Sequence, residues 1–173
     1  MFAIQCSEMR TQAGEAVKRK QIRVGVISDT HGLIRPEAVE ALRGVGHLIH
    51  AGDIGSPAVL DALRELAPVT AVRGNVDRGE WARALPETAV VELGGLLLYV
   101  IHDLHELDLD PRAAGFTAVI SGHSHQPRRE WREGVLYFNP GSAGPRRFRL
   151  PVAVGLLAIE DEVVSAEILG LEV

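Results

Sequence analysis

The chain has 173 residues, 46% of them hydrophobic and 24% charged, enough for one compact domain with a true core and too little for a second. Its net charge of −5 argues against a general nucleic-acid-binding surface. The one cysteine, Cys6, excludes an intrachain disulfide and suits a reducing cytoplasm, and no apolar run approaches the ~20 residues a membrane span needs.

Residues 1–20 are polar, basic toward their end, and lack an apolar signal core. They are expected to form a poorly ordered extension ahead of a domain over 21–173. Ile22–Ser28 is short, apolar and β-branched, as in a buried strand. Pro36–Gly44 predicts a short helix with proline at its start and glycine at its end. His47–Asp53 reads as a second strand. Ser56 then caps a helix whose first residue is Pro57, and Val69–Val72 is a third strand. Strand, loop and helix in repetition imply parallel pairing. Ala89–His102 predicts two strands around a Gly-Gly turn, and Asp110-Pro111 a short helical turn. Thr117–His123 reads as a strand running into a loop. Two hairpins follow, turning near Glu133-Gly134 and Asp161-Glu162. The predicted class is α/β (α+β): two mixed sheets face to face, a β-sandwich flanked by helices.

The polar residues collect where these strands end: S-D-T-H-G after the first, A-G-D-I-G after the second, R-G-N-V-D after the third, I-H-D and S-G-H-S-H after two later ones. Sites in such sheets form beyond the carboxyl ends of strands, so the five tips are expected to meet on one edge. They offer Asp29, His31, Asp53, Asn75, His102, His123 and His125: carboxylate, amide oxygen and imidazole donors. This set exceeds the needs of one divalent cation and suits two about 3.5–4 Å apart with one carboxylate shared. Mixed oxygen and nitrogen donors favour Mn, Fe, Zn, Ni or Co, and the lack of thiolates argues against a closed structural zinc site.

D-x-H, G-D, G-N, H and G-H-x-H in this order resemble the motifs of the calcineurin-like metallophosphoesterases. I-S-D-T-H-G, H-A-G-D-I, R-G-N-V-D and N-P-G-S are similar to the small bacterial and archaeal phosphodiesterase branch, which includes the retromer subunit of the same fold. The resemblance covers the chain from about Ile22 to its end. It implies the metallo-dependent phosphatase fold, with Asp29, His31 and His125 on one metal, Asn75, His102 and His123 on the other, and Asp53 bridging. It also implies manganese as a working metal. Two positions depart from the pattern. Val76 stands where many members carry a histidine that protonates the leaving group, and His102 is followed by Asp103 and Leu104 rather than by G-H.

The chemistry expected is phosphodiester hydrolysis. Two cations would turn a shared water into hydroxide near neutral pH, and Asp53, Asn75 and His102 are the candidate catalytic groups through their hold on the metals. Without a histidine at 76, water, Asp77, Asp103 or His105 must assist the leaving group. Asn75, Arg78 and Arg128 are the candidate substrate contacts; Arg129, Arg146 and Arg147 also lie near the motifs. Asn139–Ser142 either aims backbone N–H groups at substrate or makes a turn, and His47 and His50 are packing or hydrogen-bonding residues. The expected partner is a small phosphate ester, with no membrane and with a homo-oligomer left open. The alternatives are a catalytically silent metal-binding scaffold for protein partners and a phosphomonoesterase or nucleotide hydrolase.

Overall fold

The computed structural model describes residues 21–173, so the expected extension over 1–20 lies outside the described residues. Two five-stranded sheets form the body. Strand β1 (Ile22–Ile27) pairs in parallel with β2 (His47–His50), which pairs in parallel with β3 (Val69–Ala71). The antiparallel hairpin β9 (Ala153–Glu160) and β10 (Val163–Gly170) joins the other side of β1. The second sheet runs in the order β4 (Thr88–Leu93), β5 (Leu96–Ile101), β6 (Ala118–Ile120), β8 (Val135–Asn139), β7 (Arg128–Arg132), again mixing parallel and antiparallel pairs. The predicted turns at Gly94-Gly95, Glu133-Gly134 and Asp161-Glu162 all carry positive φ, as tight hairpin turns require.

Side-chain alternation explains the layering. On β1, Val24 and Val26 point between the sheets, where they meet Ile49, Leu98, Val100, Ile120, Leu136, Phe138 and Leu157. Ile27 and the β2 residue Leu48 point outward onto helices α1 (Pro36–Ala41) and α2 (Pro57–Arg64). Ser56 caps α2 by accepting from the Ala58 N–H at 3.3 Å, and Val59, Leu60 and Leu63 form its buried stripe. Gly25 is a packing requirement, since a Cβ there would lie 2.6 Å from Leu48 and 2.7 Å from Leu42 side-chain atoms.

The outer face of the second sheet is covered differently. Tyr99, Ile101, Val119 and Val135 pack under Leu104, Leu107, Leu109 and Phe116. That segment is a 3-10 turn (Leu104–Glu106) followed by irregular chain, not a regular helix. The turn predicted at Asp110 forms, with Asp110 Oδ1 accepting from the Arg112 and Ala113 N–H groups at 3.0 and 3.2 Å, but it does not propagate. A four-residue helix α3 (Glu80–Arg83), absent from the predicted elements, follows the R-G-N-V-D loop.

Candidate metal centre

The ligand candidates converge at the carboxyl ends of β1, β2, β3, β5 and β6. They divide into two groups. In the first, His125 Nε2 lies 3.2 Å from Asp29 Oδ1 and 3.3 Å from His31 Nε2. In the second, Asn75 Oδ1 lies 3.1 Å from His102 Nε2 and 3.2 Å from His123 Nδ1, and these two nitrogens are 3.3 Å apart. Asp53 stands between the groups. Its Oδ1 is 3.4 Å from His102 Nε2 and its Oδ2 is 4.0 Å from His31 Nε2.

Several of these contacts join acceptor to acceptor. The Nδ1–H of His102 donates to the Ala51 carbonyl at 2.8 Å, which leaves Nε2 with a lone pair aimed at the Asn75 and Asp53 oxygens. Asp29 Oδ1 is buried without a hydrogen-bond partner, as is His125 Nδ1. An uncompensated buried carboxylate oxygen is costly, and a cation removes the cost. Donors about 2.0–2.2 Å from one ion sit roughly 3.0–3.4 Å from each other, which the observed separations match. The residues present therefore fit divalent metal. Two clusters of donors among the described residues, Asp29–His31–His125 and Asp29–Asp53–His102, each lie within 4.8 Å.

The protonation pattern follows the same electrostatics. Burial opposes charge on His102, but the hydrogen bond that a protonated Nε2 makes to Asp53, the Ala51 carbonyl and the charges of Asp53 and Asp29 outweigh it and hold its pKa above the ordinary histidine value. Burial likewise opposes ionisation of Asp53, yet His102, the Val76 N–H and His31 hold its pKa below the usual carboxylate value. The site thus collects positive charge, and a proton and a metal ion compete for the same donors.

The backbone at five of the candidate ligands is strained. Asp29, His31, Asp53, His123 and His125 all sit in the left-handed region, with φ of 54°, 49°, 53°, 65° and 57°. Asp and His tolerate this region better than most residues, but it still costs about 1 kcal/mol or more each. Surrounding bonds hold the loops in place. Asp77 is the main brace: its carboxylate accepts from the N–H groups of Ile54, Gly55 and Gly74 at 3.2, 2.7 and 2.8 Å, tying the β2 and β3 loops together. That commitment removes Asp77 from the candidates for leaving-group assistance. Asn139 donates to the Gly122 carbonyl at 2.6 Å and Ser142 Oγ donates to the Asp29 carbonyl at 2.9 Å, so N-P-G-S clamps the two histidine-bearing loops. Ser28 Oγ and the His123 N–H donate to Asp29 Oδ2 at 2.7 and 3.0 Å, which turns Oδ1 toward His125. Apart from the local Ser28–Asp29 and Gly74–Asp77 contacts, these braces leave no pattern along the chain, because they join segments 17 to 113 residues apart.

The departures from the family pattern have distinct roles. Val76 is 41% exposed, and its N–H donates to Asp53 Oδ1 at 3.0 Å; only its backbone serves the site. Asp103 accepts from the His105 N–H at 3.0 Å, and its Oδ2 lies 3.6 Å from His123 Nε2, orienting that ring from behind. Burial opposes ionisation of Asp103, but the two His105 hydrogen bonds and the His123 and His105 charges together outweigh it and hold its pKa below the usual carboxylate value. The His105 side chain is 92% exposed. The arginines are scattered. Arg128 pairs with Glu130 while lining a cavity of about 320 Å³ with His123 and Ser124. Arg78 lines a separate depression with Arg73 and Asp77, apart from the imidazoles. Arg129 donates to the Ala166 carbonyl at 2.7 Å and Arg146 to the Val173 carbonyl at 3.0 Å. Arg147 reaches His31, with Nη2 3.4 Å from Nε2. A second cavity of about 300 Å³ opens on Asn75, His102 and His123. A further depression of about 830 Å³ runs along α1 and is lined by none of these groups.

His50 lies fully buried beneath the site. Its Nε2 contacts Thr30 Oγ1 at 2.9 Å, and that hydroxyl donates to the Ile54 carbonyl at 2.9 Å, so the ring is the neutral Nε2–H tautomer. Burial lowers its pKa from 6.5 to about 4. As pH falls, the unfolded chain takes up this proton first, so His50 favours the folded state less and less from pH 6.5 down to about 4. Chelator-treated wild type is expected to lose about 2–3 kcal/mol more than His50→Gln between pH 7.5 and 4.5. Urea titrations giving parallel pH profiles would contradict this. His47, 2.9 Å from Thr70 Oγ1, is also lowered by burial.

The family model described as the calcineurin-like phosphoesterase superfamily domain matches residues 22–162. A probable metallophosphoesterase of Methanothermobacter thermautotrophicus is 38% identical over 158 residues, covering 84% of this chain and 91% of that protein. The solved structure of a novel archaeal phosphodiesterase superposes with a TM-score of 0.71 at 26% identity, covering 86% of this chain and all (100%) of its own. Vacuolar protein sorting 29 of Cryptosporidium parvum shares the fold, with a TM-score of 0.70 at 19% identity over 86% of this chain and 97% of that one.

Proposed function

Since this chain belongs to the calcineurin-like phosphoesterase superfamily, we propose that it is a phosphodiesterase working with two divalent cations, manganese first among them, on a small diester in the cytoplasm. The observation that carries the two-metal reading is the position of Asp53, whose two oxygens face two different donor groups. Asp29, His31 and His125 would hold one ion and Asn75, His102 and His123 the other, with Asp53 shared. Bound there, the cations supply Lewis acidity toward phosphoryl oxygens and lower the pKa of water. Asp53 offsets the repulsion between two like charges. Asn75, being neutral, adds a donor without weakening that acidity. The His102 Nδ1–H to Ala51 bond fixes the tautomer that keeps Nε2 available. Every donor comes from one chain, so the reading needs no second copy.

The test is to strip the protein with chelator, restore Mn²⁺, and assay a diaryl phosphate beside a monoaryl phosphate. Metal-dependent hydrolysis is expected, with the diester at least ~10-fold ahead in kcat/KM, a difference of about 1.4 kcal/mol in barrier. Faster monoester turnover would make the protein a phosphomonoesterase. Metal binding without turnover of either would make it a scaffold.

The leaving group exposes a further consequence. Position 76 offers no proton, and the Asp77 carboxylate is bound by three backbone N–H groups. A positioned general acid is worth about 10²–10⁴-fold, and that help is missing from both places. Alkyl aryl diesters should lose the aryloxide with a steep dependence on its pKa, and dialkyl esters should be slower by ~10³-fold or more. A flat rate across the leaving-group series would show that another residue donates the proton.

A further inference from the structure

The segment Pro145–Arg149 is exposed throughout and carries Arg146, Arg147 and Arg149 around Phe148. Phe148 is 94% exposed, the most exposed large apolar side chain among the described residues, and it sits at φ 53°. An unburied aromatic ring on left-handed backbone forgoes burial and adds strain, which stability does not explain. The base of the segment is fixed to the site. The Ala143 N–H donates to the Ser28 carbonyl at 3.0 Å, and Arg35 donates to the Gly144 carbonyl at 3.3 and 3.2 Å through Nε and Nη2. Gly144 lies so close to the D-T-H loop that a Cβ would overlap the Asp29 and Thr30 carbonyl oxygens. From this base the Leu150 N–H closes a turn on the Arg147 carbonyl at 3.1 Å, and Arg147 extends to within 3.4 Å of His31 Nε2. When that nitrogen serves a metal ion its lone pair is taken, and the guanidinium needs another acceptor. A phosphate oxygen at the cations supplies one, in the geometry that suits an arginine fork. Phe148, the next residue, then stands one Cα–Cα step, about 3.8 Å, along the chain, with its ring open to solvent.

We propose that Arg147 and Phe148 form a substrate clamp selecting phosphodiesters in which one ester alcohol is a nucleoside, the guanidinium holding phosphate and the phenyl ring stacking on the base. The clamp rests on the phosphoesterase reading of the adjacent cluster, but it can be tested by binding alone. Base–aromatic stacking is sequence-tolerant and worth about 5- to 150-fold in affinity.

The probes are adenosine 5′-monophosphate and inorganic phosphate, titrated calorimetrically into the full-length Mn²⁺-loaded protein. Wild type is expected to bind the nucleotide ~10-fold or more tightly than phosphate. Phe148→Ala should abolish that preference and leave phosphate affinity within about 2-fold, and Phe148→Trp should restore it. Arg147→Ala should weaken both ligands by roughly 10-fold with metal content unchanged by elemental analysis. A wild type without the preference, or a Phe148→Ala protein that keeps it, overturns the clamp. If the preference behaves as stated and no diester is cleaved, the clamp stands and the hydrolytic reading falls. If diesters are cleaved and Phe148→Ala changes nothing, the clamp alone falls.

Discussion

Asp53→Asn is expected to lower kcat/KM on a diaryl phosphate by at least ~10³-fold, comparable to removing a main electrostatic stabiliser of a transition state. Asp53 is buried, accepts from the Val76 N–H at 3.0 Å through Oδ1, and has each oxygen turned toward a different donor group. Asparagine keeps one oxygen, puts an NH₂ where the second should face a cation, and removes the negative charge between two positive ions. Like charges that close together need such a carboxylate. The metal content of the variant should fall from two ions per chain to one or fewer, read by elemental analysis after gel filtration. Circular dichroism should stay native, because the Val76 contact needs only the oxygen that remains. Turnover and stoichiometry both unchanged would remove Asp53 from the centre of the argument.

Gly74→Ala is expected to destabilise the protein by about 3 kcal/mol or more and to abolish metal binding as well. A Cβ at Gly74 would overlap the Asp53 backbone nitrogen and the Asp53 carboxylate. Neither can move freely. The Asp53 carbonyl receives the His31 N–H at 2.9 Å, and the Gly74 N–H is bound to Asp77 at 2.8 Å. Overpacking against a flexible side chain costs about 1–3 kcal/mol; against backbone it falls at the upper end or beyond. Gly170→Ala is the control. Nothing lies within 4 Å of a Cβ there and its φ is not positive, so the midpoint in urea should stay or rise slightly. Equal behaviour of the two variants would mean that the β2 and β3 loops tolerate far more movement than their bonding implies.

The strands were legible because each carries its own signal. Ile22–Ile27 is a short run in which Ile22, Val24, Val26 and Ile27 are β-branched, and the β9–β10 hairpin folds around a turn that forms at Asp161-Glu162. The segment over 104–116 holds only a 3-10 turn at Leu104–Glu106 and the turn expected at Asp110-Pro111. Its leucines and Phe116 are apolar enough to cover β5 and β6, but Pro111 and Gly115 stop a helix from propagating, so it packs as irregular chain. The donor residues could be named from their motifs. The arginine nearest the metal donors could not, since Arg78 and Arg128 lie nearer the motifs in sequence while Arg147 reaches His31 across 116 residues.

Residue types at strand ends by themselves pointed to the class of chemistry: carboxylate, amide and imidazole donors, with His31, Asp53, Asn75 and His123 each beside a glycine, suit a divalent metal. Only the folded chain decided how those donors divide. Asp53 faces two groups, Asp77 is spent on three backbone amides, Asn139 and Ser142 hold the histidine loops, and five candidate ligands accept left-handed backbone. The physical reason is range. A donor's chemistry belongs to a single side chain and is written in the sequence, whereas its direction and its hydrogen-bond commitments are set by partners that share no neighbourhood along the chain and meet only when the two sheets pack.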